Sequence, residues 1–394
     1  MAGRKRKTRA GRMMNRRRFH LFLLIFSIVI LECLRSDVPE FTQEGFRVPQ
    51  PYQALKFPRT HGSHPDFKIE WWYLTGHLKS NSGREFGFQV TFFRFAGTKV
   101  EIGLEDPNFG QSQIYSTQVA LTDIGAGKFY FDERIDRNGW DAFASEDILD
   151  LRHGPWSMKM TDHLREAIDV GFNIRDKATV KLRMRPTKPL VVFGPDGTSR
   201  KGPDPTARSY YITFTRLAVS GSIEIDKEIL NLSGEAWMDH EISSQQLSEN
   251  LEGWDWTAIQ LDDGREIKAY LLRQTDGTPS EFSQLIWIDE AGRSVYQDYG
   301  DEGFSWSKES FWESPVTGTV YPTTVTIETV DPKTGLWRKL TLSPIVAEQE
   351  LTGDLNGTNY WEGACRVTNE TGKWIGRAYL ELAGYDDSLS GALR

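Results

Sequence analysis

The stretch HPDFKIEWWYLTGHLKSNSGREFGFQVTFFR, residues 64–94, constrains the fold more than any other part of the chain. Its polar turn SNSGRE separates two segments that alternate in strand fashion, which predicts a β-hairpin. The first arm puts Trp72, Leu74, Gly76 and Leu78 on one side. The second puts Phe86, Phe88, Val90 and Phe92 on one face, and Gly87, Gln89, Thr91 and Phe93 on the other. A sheet wall this aromatic either fills a large core or lines an apolar ligand cavity, and the function turns on which.

With 394 residues the chain has room for two domains of ordinary size. An aromatic content of 12%, 35 glycines and a scarcity of long helical periodicities favour β architecture. Only two cysteines are present, Cys33 and Cys365, so no disulfide framework exists and the cores must hold the fold. Nine Lys or Arg and no acid stand in residues 1–18, so the rest of a chain of net charge -8 is more acidic still. That excludes nucleic-acid binding through a basic face.

The basic run precedes LFLLIFSIVIL, eleven uncharged residues. A bilayer span takes ~20 apolar residues, so residues 1–33 read as an export signal or anchor. Arg16-Arg17-Arg18-Phe19 is similar to a twin-arginine signal, and the general secretory route stays open. Cys33 resembles a lipoprotein cysteine, but Glu32 stands where a small residue belongs. Cleavage, lipidation and retention as a membrane anchor all stay open. The expected location is the periplasm or cell envelope.

Residues 34–60 form a Pro-containing lead-in, and residues 61–207 a first β-rich domain. GPDGTSRKGPDPTA, residues 194–207, reads as a linker, which gives residues 208–387 to a second domain. The hairpin has an echo there: WDWTAIQLDDGREIKAYLLR also runs from a Trp-started strand through a Gly-Arg-Glu turn to a strand ending in Arg (Arg94, Arg273). This predicts two copies of one β unit.

Three groups of residues could carry chemistry. His61, His64, Asp66 and Glu70 match no zinc spacing and read as a turn, so no metal is expected. In AWMDHE, strand alternation puts Trp237, Asp239 and Glu241 on one face and Met238 and His240 on the other. Asp239 there is either an acid of raised pKa beside an indole or the partner of Arg94, Arg273 or Arg216 in a structural ion pair. Trp254 and Trp256 share a face, as a core pair or as a surface for a cation or conjugated chain. No nucleotide-binding glycine loop and no Gly-x-Ser-x-Gly elbow appear.

Taken in order, HPDFKIEWWYLTGHL with GREFGFQVTFFR, then AWMDHEISS, GWDWTAIQLDDGRE, YWEGACRV and AYLELAGY resemble the AttH-type family related to carotenoid 1,2-hydratase (hydroxyneurosporene synthase). The resemblance implies an all-β fold: two lipocalin-like β-barrels, or barrel-like sandwiches, packed side by side, with an apolar cavity between or within them. It implies a hydro-lyase reaction that needs no cofactor, adding water to an isoprenoid or polyene double bond. In that reading Asp239 protonates the alkene, Trp237, Trp256 and Tyr211 face the cation, and His240 takes a proton from water. Trp72 and Tyr270 complete the expected substrate-binding set. Ser209-Tyr210-Tyr211 departs from the hydratases, which carry a His there, so carotenoids are not singled out as the substrate. The alternative is a non-catalytic carrier of an apolar, lipid-like ligand in the cell envelope.

Overall fold

The computed structural model describes residues 38–97, 113–139, 141–248, 250–353 and 359–389. The export segment and Cys33 lie outside the described residues. The regular secondary structure of the described residues is all strand apart from one short 3-10 turn at Arg59–His61.

Two antiparallel sheets account for the fold, one of thirteen strands and one of ten. The first opens with the meander Ile69–Ser80, Glu85–Phe95, Ile114–Asp123 and Lys128–Arg137. Its last strand, Glu228–Gln245, returns to pair with Ile69–Ser80, and Arg208–Ile225 and Ala178–Pro186 follow beside it. The second sheet repeats the plan with Leu251–Leu261, Glu266–Gln274, Gln284–Ile288 and Ser294–Asp298. Its last strand, Trp374–Ala383, again pairs with the first. Both sheets curl, one into a nearly closed barrel and the other into a half-barrel.

This plan corrects the expected boundary at 207/208. The long hairpin Arg208–Gln245 belongs to the first sheet, because it supplies the strand that pairs with Ile69–Ser80. The division between the sheets falls between Gln245 and Leu251. The Gly/Pro-rich segment 194–207 is not a linker. Ser199–Arg200 and the preceding Val191–Phe193 both pair with Arg208–Ile225, so the segment lies along the first sheet. Composition identified an irregular path and gave no sign of what the path packs against.

The aromatic hairpin serves both purposes open to it, one on each face. Trp72, Leu74, Leu78, Phe86, Phe88, Val90 and Phe92 fill the first barrel. Truncating a single such aromatic to Ala typically costs ~3–5 kcal/mol. Trp71, Tyr73, Thr91 and Phe93 look the other way, toward the second sheet. A separate cluster fills the second barrel, and a third, with Tyr73, Tyr211, Trp237, Trp256, Tyr270 and Tyr360, lies between the sheets. An ion pair fastens the sheets nearby. Arg216, in a register irregularity of its strand, reaches Glu266 of the second sheet at 2.7 Å, and Lys188 binds the same carboxylate.

Candidate functional site

Between the sheets lies a cavity of about 420 Å³, within the ~300–1,000 Å³ of small-molecule sites. The first sheet contributes Trp71, Tyr73, Phe93, Tyr211, Asp239 and Glu241, and the second contributes Trp254, Trp256, Tyr270, Tyr360 and Glu381. Neither half could form it alone. Phe95, Ile114 and Ile135 also line it, and Ile114 is exposed.

Asp239 reaches this cavity because Trp237, Asp239 and Glu241 share the face that strand alternation predicts. Its carboxyl is buried and accepts three hydrogen bonds: from the Tyr211 hydroxyl to Oδ2 at 2.7 Å, from the Trp237 indole to Oδ1 at 2.8 Å, and from the Thr213 hydroxyl. Tyr211 in turn accepts from the Trp256 indole at 3.1 Å. Arg94, Arg216 and Arg273 pair with Glu70, Glu266 and Asp255, and Asp239 has no ion pair among the described residues. Burial pushes its carboxyl up to about 6, against the pull of the Lys268 charge and the three donors.

Glu381 was not singled out by the sequence. It stands directly across the strand pairing from Trp256 and lines the cavity. Its one hydrogen bond among the described residues comes from the Trp254 indole at 3.1 Å. Burial, reinforced by the charges of Asp239 and Glu241, lifts it to about 8. Of the three carboxyls that line the cavity, Asp239 is therefore mostly ionised at neutral pH and Glu381 mostly protonated. A separation of this kind assigns base and acid roles. Glu362 lies across from Glu381 on the neighbouring strand, accepts from the Tyr73 hydroxyl at 2.7 Å, and is held well above the carboxylate range by burial and by Glu381.

Lys268 was also missed. It is fully buried, its ammonium nitrogen has no hydrogen-bond partner among the described residues, and it lies 3.1 Å from the centre of the Tyr211 ring. Burial pushes its amine well below the lysine range, as does Lys201, while Asp239 and Glu241 pull it up.

Of the residues expected to form the site, Asp239, Tyr211, Trp256 and Tyr270 line the cavity together. Trp237 lies just behind the wall, bonded to Asp239 and meeting the Trp256 ring edge-on at 6.4 Å. His240 and Trp72 do not reach the cavity. Adjacent strand residues point to opposite faces, so both lie on the far side, stacked on each other at 4.6 Å. There His240 and His64 both meet Glu70 Oε1 at 2.8 Å, while Arg94 holds Oε2 at 3.0 Å. Burial lowers His240 to about 4.

The ring and carboxylate atoms of His64, Glu70 and His240 lie close enough together to be compared with a metal site. In this arrangement the Arg94 guanidinium and the two imidazoles satisfy the carboxylate, and Arg59 contacts the outer nitrogen of His64 at 3.4 Å. Asp66 and His61 lie apart from the cluster, Asp66 beside Arg47 and His61 stacked on Phe214.

Paired barrels enclosing one apolar cavity with a few polar groups define a lipocalin-like architecture with an inter-barrel site. The chain belongs to the AttH-like family, whose model matches residues 48–385. The crystal structure of an AttH-type protein from Nitrosomonas europaea is 32% identical, covers 86% of this chain and all of its own, and superposes with a TM-score of 0.75. Kievitone hydratase from Nectria haematococca shares the fold at 12% identity, covering 88% of this chain and 98% of its own, with a TM-score of 0.63. No curated protein matches the chain by sequence.

Proposed function

We propose that this protein is an exported hydratase that needs no cofactor and adds water across a C=C bond of an apolar, isoprenoid or polyene-like substrate held between its barrels. The observation that carries the reading is the pair Glu381 and Asp239, two carboxyls in one apolar cavity with values near 8 and near 6. Protonated Glu381 donates to the less substituted alkene carbon. The tertiary cation is stabilised by the faces of Trp71, Trp254, Trp256 and Tyr211. Water adds to the cation, and the Asp239 carboxylate takes the released proton. Asp239 then returns a proton to solvent and Glu381 regains one, so the net change is the addition of one water. Asp239 thus becomes the base rather than the expected acid, because three donors favour its carboxylate. It also replaces His240, which is walled off on the opposite face.

The relationship to kievitone hydratase in fold is consistent with a hydration reaction. The basic and apolar segment in residues 1–33 supports export to the periplasm or cell envelope. A carrier of lipid-like ligands would need the apolar walls but not the two separated carboxyls.

The test is incubation of the purified protein with acyclic isoprenoids in ¹⁸O-water, followed by mass spectrometry. Wild type should form an alcohol carrying one ¹⁸O, and Glu381→Gln and Asp239→Asn should not. Full activity in both variants would remove these assignments. An inactive wild type that retains an apolar ligand through purification would support the carrier.

A further inference from the structure

One end of the cavity is built differently from the rest. Along the strand, Glu241 follows Asp239 by two residues and faces the same way, with Trp71 and Tyr211 as its neighbours across the sheet. Around it the cavity wall is polar. Lys201 reaches Glu241 Oε1 at 3.0 Å, and the Gln246 amide nitrogen donates to the same oxygen at 3.0 Å. The Ser209 hydroxyl donates to it as well.

Gln246 Oε1 is buried and has no hydrogen-bond partner among the described residues, although Gln246 lines the cavity. Its orientation is fixed, since turning the amide over would set Oε1 against the Glu241 carboxylate oxygen. A buried acceptor left unsatisfied is destabilising, so it is a place where a ligand donor gains affinity. Lys201, 5% exposed, uses one N–H on Glu241 and keeps others. The Gln246 amide and Lys201 both meet Glu241 Oε1, so the site offers an acceptor and a donor around one carboxylate oxygen.

We infer that the ligand of this cavity carries a hydroxyl group, an alcohol or phenol, which donates to Gln246 Oε1 and accepts from Lys201 Nζ while its apolar body extends along the aromatic walls. The inference rests on the reading of the cavity as an isoprenoid site and adds the polar group that orients the substrate. Other heads fit less well. A carboxylate or a ketone has no hydrogen to give Gln246, and a carboxylate would also face Glu241 and Asp239. An ammonium would meet Lys201. A pure hydrocarbon would leave Gln246 Oε1 unsatisfied.

Binding alone tests this, followed by quenching of tryptophan fluorescence. The probes are farnesol and a farnesylated phenol, each against its methyl ether, which keeps the acceptor oxygen and removes the donor hydrogen. Wild type should bind each hydroxyl compound at least tenfold more tightly than its ether. Gln246→Leu should abolish that preference while leaving affinity for the ethers intact, which also shows that the variant is folded. Lys201→Met should weaken alcohol and ether together, because both accept. Equal binding of alcohol and ether by wild type, as when a bound water satisfies Gln246, overturns the inference and leaves the apolar cavity standing. A preference that survives Gln246→Leu overturns it too. If no probe binds wild type at all, the isoprenoid reading of the cavity fails and the inference falls with it.

Discussion

Glu70 and Glu381 are both buried carboxyls on strands of the same protein, and their surroundings drive them in opposite directions. Glu70 has Arg94, His64 and His240 around it, and these outweigh the effect of burial and hold it well below the carboxylate range. Glu381 has one indole donor and two acidic neighbours, and it rises to about 8. The first is a saturated hub that fixes the chain entering the barrel, because it also accepts the His64 backbone N–H at 2.8 Å. The second keeps its proton at neutral pH and presents it to a cavity. Burial alone therefore does not identify a functional carboxyl. The number of partners left after burial does.

Substitution should separate the two most strongly. Glu381→Gln should lower hydration by ~10²–10⁴-fold, the range for loss of a general acid, with no fall in denaturant midpoint. Glu70→Ala should do the reverse. It leaves the buried Arg94 without its carboxylate partner, and breaking such a pair costs ~3–5 kcal/mol, read as a fall in urea unfolding free energy. If Glu70→Ala is stable and inactive, the division between hub and site is wrong.

The pH dependence sharpens the contrast. Activity requires Asp239 ionised and Glu381 protonated, so kcat/KM, which reports the free enzyme, should rise through about 6 and fall through about 8. Stability should follow opposite signs at the two glutamates. The contribution of Glu70, whose folded value is depressed, is complete above its ordinary 4.5 and is lost as pH falls below it. That of Glu381, whose folded value is raised, is complete below 4.5 and is lost as pH rises toward about 8. Glu381→Gln should therefore gain stability relative to wild type across that interval, measured by unfolding at a series of pH values.

The smallest effect is expected at Lys268. It is buried with no hydrogen bond from its amine among the described residues, so Lys268→Met should raise the melting temperature by ~2–4 °C, about what 1 kcal/mol shifts in a large domain. Its charge pulls Asp239 downward, so the same variant should move the lower limb of the pH profile upward. A variant that melts lower, with its profile unmoved, would make Lys268 a structural residue.

Much of this was legible in the sequence wherever strand alternation suffices. The hairpin, its echo after residue 251, and the shared face of Trp237, Asp239 and Glu241 all appear in the structure. The same alternation already set His240 opposite Asp239, and Trp72 with Leu74 and Leu78. Assigning His240 and Trp72 to the cavity went against it. What alternation does not carry is long-range pairing. Glu381 meets Trp256 from 125 positions away in a strand noticed only for its pattern, and Lys201 reaches Glu241 from a segment read as a linker. Nor does it show that the Arg208–Gln245 hairpin pairs back to the first strand of its barrel.

The most direct measurement is the titration of individual carboxyls by ¹³C NMR, with Glu381, Asp239 and Glu70 assigned by substitution. Glu381 should titrate near 8, Asp239 near 6, and Glu70 well below 4.5. Glu381 and Asp239 titrating together near the ordinary carboxylate range would leave the cavity without its acid and base, and would contradict the account.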